Sequence, residues 1–287
     1  MNGPRRGRDA SKRAAKITTE SLAAKREALP PAWRDGARVG RHWFEDVADV
    51  LGESYLKYSF TRGTNQEVDA LIDMLEIEPG HRIVDVGCGP GRHAVALAER
   101  GFTVHGIDIS ERFVELANIA AVRAGVEDRA TFEVADARTW TTSEPFDRLI
   151  SLCQGAFGLA GGPGSSDSLD PDLALFENVV AALGERGRLA MSAFSAYFQV
   201  RMLDDETDSF DAAGGVNHES TSIKDEAGVD HPAELWTTCL TPRELRLMCS
   251  IVGLHVDNIY SVTPGKYART EPTVDSHEFL LLARRRT

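Results

Sequence analysis

The sequence lacks the features of membrane, secreted and zinc-binding proteins. No apolar run approaches the roughly 18 residues that indicate a membrane-spanning helix. The basic N-terminus has no apolar stretch like that of a secretory signal. The cysteines are few, with no C-x-x-C spacing: Cys88, Cys153, Cys239 and Cys249. This pattern argues against a zinc site and for reduced thiols, so we expect a cytoplasmic chain with no metal and no membrane partner.

Acidic residues outnumber basic ones outside the N-terminus. Residues 1–34 carry nine Lys or Arg against three acids, so the net charge of −12 leaves −18 on the remainder. An acidic body repels phosphate backbones, and we therefore expect no nucleic-acid partner. We interpret residues 1–36 as a basic, flexible extension. Residues 37–287 are long and apolar enough to form one domain around a full core.

A glycine-rich turn joins an apolar strand to an alanine-rich helix. The strand, at residues 82–86, is followed by Gly87, Gly89 and Gly91. Glycines there allow a sharp turn and a close approach of the backbone to a ligand. The next strand ends at Asp108, about 20 residues further on, where a doubly wound fold places a carboxylate on a ribose. The segment therefore predicts a nucleoside-binding βαβ unit.

The spacing of this unit bears on which nucleoside it binds. A dinucleotide fingerprint needs G-x-G-x-x-G, but here the third glycine position holds Arg92. That difference does not by itself exclude a dinucleotide. The carboxylate of Asp85 near the loop repels a pyrophosphate but suits the ammonium of an amino acid. A further strand ends at Asp136, placed to accept from an adenine amine. These acids together favour S-adenosylmethionine as the cofactor.

At this point the chain resembles the class I S-adenosylmethionine-dependent methyltransferases, over residues 64–285. The motifs that carry the resemblance are VDVGCGPGRHAVALAERG (84–101), VHGIDIS (104–110), FEVADAR (132–138), FDRLISLCQGAFG (146–158) and LTPRELRLMCSIVGL (240–254). The resemblance implies an α/β fold with a seven-stranded, Rossmann-like, doubly wound sheet whose last strand is antiparallel. The N-terminal extension and a substrate-covering flap after strand 5, at about 197–240, are additions to it.

The resemblance also implies how the first half of the chain holds the methyl donor. In that family the loop at Gly87, Gly89 and Gly91 holds the methionine part. Asp108 binds the ribose hydroxyls, and Ile109 packs on the adenine. Two further pairs complete the implied donor site: Asp136 with the Ala137 amide at the adenine edge, and Cys153 with Gln154 facing the reactive methyl.

Three variable segments are expected to bind the acceptor, at residues 43–63, 154–168 and 197–238. The sulfonium is already activated, so the enzyme mainly aligns the acceptor and excludes water. The candidate acceptor-binding residues in these segments are Tyr58, Arg62, Phe157, Tyr197 and Trp236; Arg62 also suits the carboxylate of the donor.

The third segment has the pattern of a β-hairpin flap. Two β-compatible stretches, 216–224 and 232–240, flank an acidic turn at 225–228. His218 on the first stretch is our candidate general base, with a surface histidine as the alternative.

Local signals also predict where helices begin. Thr64 and Glu67 have the spacing of a capping box, Ser110 is a predicted N-cap, and Thr241 precedes a proline at the first helical position.

One missing motif narrows the acceptor. Enzymes that methylate the amino groups of nucleobases or the amide of glutamine are expected to carry an Asn or Asp, two prolines and an aromatic after strand 4, whereas this chain has residues 152–155, LCQG. With the acidic body, this absence predicts a small-molecule metabolite as the acceptor of the in-line methyl transfer. Whether the accepting atom is oxygen, nitrogen or carbon stays open. The alternatives are a non-catalytic S-adenosylmethionine-binding protein and an NAD-dependent oxidoreductase. The oligomeric state stays open.

Overall fold

The computed structural model describes residues 41–153, 155–163, 170–204 and 206–286. Its helices are α1 Trp43–Leu51, α2 Thr64–Met74, α3 Arg92–Glu99, α4 Glu111–Ala124, α5 Asp170–Ala181, α6 Ala196–Met202 and α7 Pro242–Ile251. Its strands are β1 Arg82–Val86, β2 Thr103–Asp108, β3 Ala130–Val134, β4 Phe146–Ser151, β5 Leu183–Ser195, β6 Asp208–Asp211, β7 Val216–Lys224, β8 Asp230–Leu240, β9 Leu254–Val262 and β10 Glu278–Arg285. Two short 3₁₀ turns, Gly52–Lys57 and Ser59–Thr61, join α1 to α2.

Seven strands form the central sheet in the order β3-β2-β1-β4-β5-β10-β9. The first five pair in parallel, and β10 is antiparallel to both β5 and β9. This topology confirms the predicted doubly wound sheet with an antiparallel last strand. In such a sheet, ligands bind beyond the carboxyl ends of the parallel strands, where the strand order reverses.

Alternate residues of β1 belong to different buried clusters, one on each face of the sheet. Val84 packs with residues of α5 and α7, including Phe176 and Leu245. Ile83 packs with residues of α2 and α3, including Leu71. Successive strand residues point to opposite faces, so both faces of the sheet are covered. In the part of the chain that the structure describes, no helix combines the length and apolar character needed to cross a bilayer.

Two of the three predicted helix starts are confirmed. The Ser110 hydroxyl accepts a hydrogen bond from Phe113 N at 3.2 Å and caps α4. Thr241 caps α7 through a reciprocal pair of bonds with Glu244.

The capping box predicted at Thr64 is wrong. Gly63, with φ of +101°, occupies the N-cap position and has no side chain that could make a capping bond. Glu67 is fully buried and accepts instead from Arg92 and from Gly265 N, at 2.6 and 2.7 Å. The Glu67 carboxylate, which the local pattern assigns to a helix cap, therefore accepts hydrogen bonds from residues distant in sequence.

The predicted flap is present as an antiparallel sheet of β6, β7 and β8. Its last strand pairs in parallel with the end of β5, where Phe194 lies opposite Cys239. The hairpin tip contacts the first 3₁₀ turn and α4. Glu226 accepts from Glu53 N at 3.0 Å and from Arg112 at 2.7 Å. The insertion therefore extends from the carboxyl edge of the sheet back to the N-terminal helices.

Candidate active site

The glycine loop after β1 adopts a conformation that side chains disfavour. Gly87, Gly89 and Gly91 have φ values of +69°, +55° and +80°. A Cβ on Gly87 would lie 2.1 Å from the carbonyl oxygen of Gly155, in the loop after β4. Gly87 N donates to Ile107 O at 2.8 Å, which fixes the loop to β2. Glycine at position 87 is thus required by both torsion angle and space.

Asp108, at the end of β2, is held by the backbone around it. Its carboxylate accepts from Gly89 N at 2.8 Å and from Ser110 N at 2.9 Å. The side chain is 3% exposed, and burial raises the pKa of Asp108 to about 6, while these two hydrogen bonds oppose the shift. The carboxylate is therefore oriented before any ligand binds.

Asp85 lies deeper, beneath the glycine loop. Burial raises the pKa of Asp85 to about 7, with Arg92 opposing the shift and Asp108 adding to it. Its Oδ2 atom is buried and has no hydrogen-bond partner among the described residues. A buried carboxylate of this kind is costly unless a cation or donor meets it. The observation fits a donor molecule that carries an ammonium group.

Two adjoining cavities open at this edge of the sheet. The first is narrow and borders the ends of β2 and β3. Its lining includes His42, Phe44, Gly87, Asp108, Ile109, Asp136, Ala137, Arg138 and Gly155. Gly87, Asp108 and Gly155 also line the second cavity. The shared residues make the two cavities parts of one continuous site.

Asp136 is already engaged within the first cavity. Its Oδ2 accepts from Arg138 Nη2 at 2.6 Å, and its Oδ1 accepts from Arg138 N at 2.9 Å. Burial acts to raise the pKa of Asp136, but the hydrogen bonds from Arg138 lower it overall. The Asp136 carboxylate is thus charged and fixed, and an adenine amine would share it with Arg138.

The second cavity has a volume of about 310 Å³, and aromatic and aliphatic side chains form most of its lining. The aromatic side chains that line it are Trp43, Phe44, Tyr55, Tyr58, Phe60, Phe113 and Phe194. The hairpin insertion contributes Ile223, Leu235 and Thr237. We call this space the aromatic cavity.

Two acids also line the aromatic cavity, and the sequence analysis missed one of them. Glu278 is the first residue of β10 and is 7% exposed. Because β10 runs antiparallel, its first residue lies beside Phe194, at the carboxyl edge of the parallel strands. In the sequence, the one feature that marks Glu278 is its position just before the apolar run at 279–283. The pattern of a strand does not indicate at which edge of the sheet its first residue lies.

A buried ion-pair network supports the wall at Cys153. The Arg92 guanidinium donates to Glu67 at 2.6 Å, to Thr64 Oγ1 at 2.9 Å and to Cys153 Sγ at 2.7 Å. Cys153 has a φ of +51°, and burial raises the pKa of its thiol to about 12. The thiol is therefore neutral at the cavity surface.

The same region brings potential metal ligands together. Donor atoms of Glu67, His93 and Cys153 lie within 4.8 Å of one another. Arg92 donates hydrogen bonds to two of these residues, Glu67 and Cys153. His93 Nε2 lies 2.7 Å from Glu67 Oε2. A guanidinium in contact with two of the potential ligands would repel a metal cation, so this cluster indicates an ion-pair network.

The candidate acceptor residues lie in different places. Tyr58 lines the aromatic cavity, and its hydroxyl accepts from Lys224 N at 3.2 Å. Arg62 is exposed. Phe157 is fully buried in the core, where its ring packs 5.4 Å from that of Phe176. Tyr197 is 42% exposed on α6. Gln154 lies outside the described residues.

His218 and Trp236 lie on the other face of the hairpin. Their rings stack at 4.8 Å, and His218 Nε2 lies 2.5 Å from Glu234 Oε2. Trp236 also packs 5.5 Å from Trp43. The hairpin residues that line the cavity occupy odd-numbered positions, and alternation along a strand turns the even-numbered ones away. His218 as general base therefore stays a prediction, without support from its position.

Comparison with known proteins identifies the family of the chain. Residues 77–231, more than half of the chain, match a family model described as a methyltransferase domain. The chain is 38% identical over 103 residues to 27-O-demethylrifamycin SV methyltransferase of Amycolatopsis mediterranei, covering 33% of this chain and 38% of that protein. It is 28% identical over 219 residues to trans-aconitate 2-methyltransferase of Streptomyces coelicolor, covering 70% and 69% of the two chains.

A solved structure shows the same fold. The CcbJ methyltransferase from Streptomyces caelestis superposes with a TM-score of 0.69 at 15% identity, covering 84% of this chain and 98% of that one. The motifs, the strand order and the family match agree, so the predicted family and fold are confirmed. The chain belongs to the class I S-adenosylmethionine-dependent methyltransferases.

Proposed function

We propose that this chain transfers the methyl group of S-adenosylmethionine to a small molecule held in the aromatic cavity. The observation that carries the proposal is continuity: Gly87, Gly89 and Asp108 line the same space as the aromatic walls. The bound donor supplies an electrophilic methyl on a sulfonium. The protein then has to align the acceptor with it and exclude water.

The donor residues have distinct proposed tasks in this site. The loop at Gly87, Gly89 and Gly91 holds the methionine part, and the buried carboxylate of Asp85 receives its ammonium. Asp108 binds the ribose hydroxyls. The remaining proposed contacts are Ile109, Asp136 and Ala137 with the adenine, and Cys153 and Gln154 near the methyl. The burial of Asp85 and the fixed orientation of Asp108 support these assignments.

A small molecule is the acceptor that the site supports best. The aromatic cavity is about 310 Å³ and is bordered by the hairpin insertion, which leaves room for a metabolite. The acidic chain disfavours a nucleic-acid acceptor. A cytoplasmic location is part of this proposal and is supported by four free thiols.

Calorimetry and mass spectrometry test the proposal together. We expect S-adenosylhomocysteine to bind and NADH not to bind. Incubation with S-adenosylmethionine and a fractionated metabolite extract should yield a methylated product, and Asp108→Ala at the same donor concentration should yield less of it. Binding of NADH alone would favour an oxidoreductase, and donor binding without any methylated product would favour a non-catalytic binding protein.

A further inference from the structure

The described walls of the aromatic cavity include two carboxyl side chains and no cationic side chain. Asp108 and Glu278 line it, whereas no Lys, Arg or His is among its described lining residues. Arg92 contacts Cys153 of this wall, and its guanidinium is paired with Glu67. A low-dielectric cavity with this charge distribution attracts cations and repels anions.

Glu278 is the acid that the proposed donor site does not use. Asp108 is assigned to the donor under the proposed function. Glu278 lies on a different strand, beside Phe194 of β5. The surrounding rings suit an apolar ligand, and the faces of aromatic rings also attract a cation.

We infer that the methyl acceptor is an amine carried on an apolar ring system, and that Glu278 binds its ammonium group. The inference rests on the proposed function and specifies its substrate class. A carboxylate and an ammonium form a strong charge-assisted hydrogen bond in a desolvated site. A polycarboxylate such as the substrate named for the Streptomyces coelicolor relative does not suit a cavity whose described lining lacks a cation.

Glu278 also gives the amine proton a destination. Methylation needs the nitrogen lone pair, so the bound ammonium first gives one proton to the Glu278 carboxylate. The neutral nitrogen then bonds to the methyl carbon, and the electron pair of the broken carbon–sulfur bond stays on sulfur. The positive charge moves from sulfonium to the methylated nitrogen, and Glu278 later releases its proton to solvent.

Three probes with one ring and different head groups test the inference. We would titrate 2-phenylethylamine, 2-phenylethanol and 3-phenylpropanoate into the full chain saturated with S-adenosylhomocysteine, near neutral pH. The amine should bind at least tenfold more tightly than the alcohol, and the acid most weakly. Glu278→Gln should remove the preference for the amine and leave the affinities for the alcohol and S-adenosylhomocysteine unchanged. Glu271→Gln, an exposed change before β10, is the matched control.

Two outcomes overturn the inference. In the first, the amine binds the wild type no more tightly than the alcohol, or does not bind. In the second, the Glu278→Gln chain still binds the amine more tightly than the alcohol. Weaker binding of S-adenosylhomocysteine to a folded Glu278→Gln chain would assign Glu278 to the donor instead. The wild-type series decides the substrate class even if that variant fails to fold, and Glu278→Asp then tests the role of the carboxylate. Failure of S-adenosylhomocysteine to bind the wild type would instead contradict the proposed function itself.

Discussion

Gly87 and Gly155 pack backbone against backbone at the boundary of the two cavities. A Cβ on Gly155 would lie 2.2 Å from Gly87 O, and a Cβ on Gly87 would meet Gly155 equally closely. The loops after β1 and β4 can approach this far only because both residues lack side chains. This contact sets the distance between the donor loop and the wall that carries Cys153.

We predict that Gly87→Ala abolishes binding of S-adenosylhomocysteine. The new methyl would overlap backbone atoms, so one loop has to move. Gly101→Ala is the control, because Gly101 also has a positive φ but a Cβ there meets nothing within 4 Å. It should cost only backbone strain, on the order of 1–3 kcal/mol in urea unfolding, and retain binding. Near-normal affinity in Gly87→Ala would show that the loop adapts.

Asp108→Ala should weaken the affinity for S-adenosylhomocysteine at least tenfold. Hydrogen bonds to a charged group are worth roughly 1.5–3 kcal/mol each, and a ribose diol offers two. Calorimetry measures the affinity, and circular dichroism checks that the chain stays folded. Asp69→Ala, an exposed acid on α2, should bind normally. Equal affinities for the two variants would remove Asp108 from the donor site.

The pH dependence of stability should report on Asp85. Its pKa rises from 3.8 to about 7 on folding, so the folded chain holds a proton that the unfolded chain has lost. Stability from this group is therefore present at low pH and lost as pH rises from about 4 to about 7. Asp85→Asn removes the effect, so its melting temperature minus that of the wild type should increase over this range and then level off.

A companion measurement separates charge from packing at Asp85. An ionised Asp85 attracts the ammonium of the donor, so wild-type affinity for S-adenosylhomocysteine should rise with pH up to about 7, relative to Asp85→Asn. Thermal unfolding without ligand and calorimetry with ligand should therefore change in opposite directions. A flat difference in both would mean that Asp85 does not titrate in this range.

Removing the contacts of Glu226 should loosen the hairpin without unfolding the chain. Glu226 joins the hairpin tip to Glu53 N and Arg112, and all these contacts are exposed. In Glu226→Ala, amide hydrogen exchange along β7 and β8 should accelerate a few-fold, while the midpoint of urea unfolding changes little. Asp128→Ala, which alters an exposed pair elsewhere, should leave that exchange unchanged. Identical exchange in both variants would contradict a role for the tip contact.

Local sequence patterns were sufficient for the donor half of the fold. The glycine loop, the strand ending at Asp108 and the cap at Ser110 each depend on residues within one βαβ unit. Their structure is fixed by torsion angles and short-range hydrogen bonds, which the sequence expresses directly. The class of fold followed from the family resemblance that these motifs carry in their order.

The acceptor half depends on contacts between distant segments, which these patterns do not contain. Glu278 reaches the aromatic cavity only through antiparallel pairing with β5. His218 was identified on a correctly predicted strand, but which face of that strand borders the cavity is set by how the hairpin packs. The position of Phe157 also depends on a contact with a distant residue, because its ring packs against that of Phe176 in the core.

The position of β10 in the sheet has a consequence for how the site is made during synthesis. The donor loop and Asp108 leave the ribosome about 170 residues before Glu278, at translation rates of roughly 5–20 residues per second. The strand that supplies the second acid inserts between β5 and β9, so it has to follow both. The nascent chain therefore completes its donor-binding motifs many seconds before it has a wall that selects an acceptor.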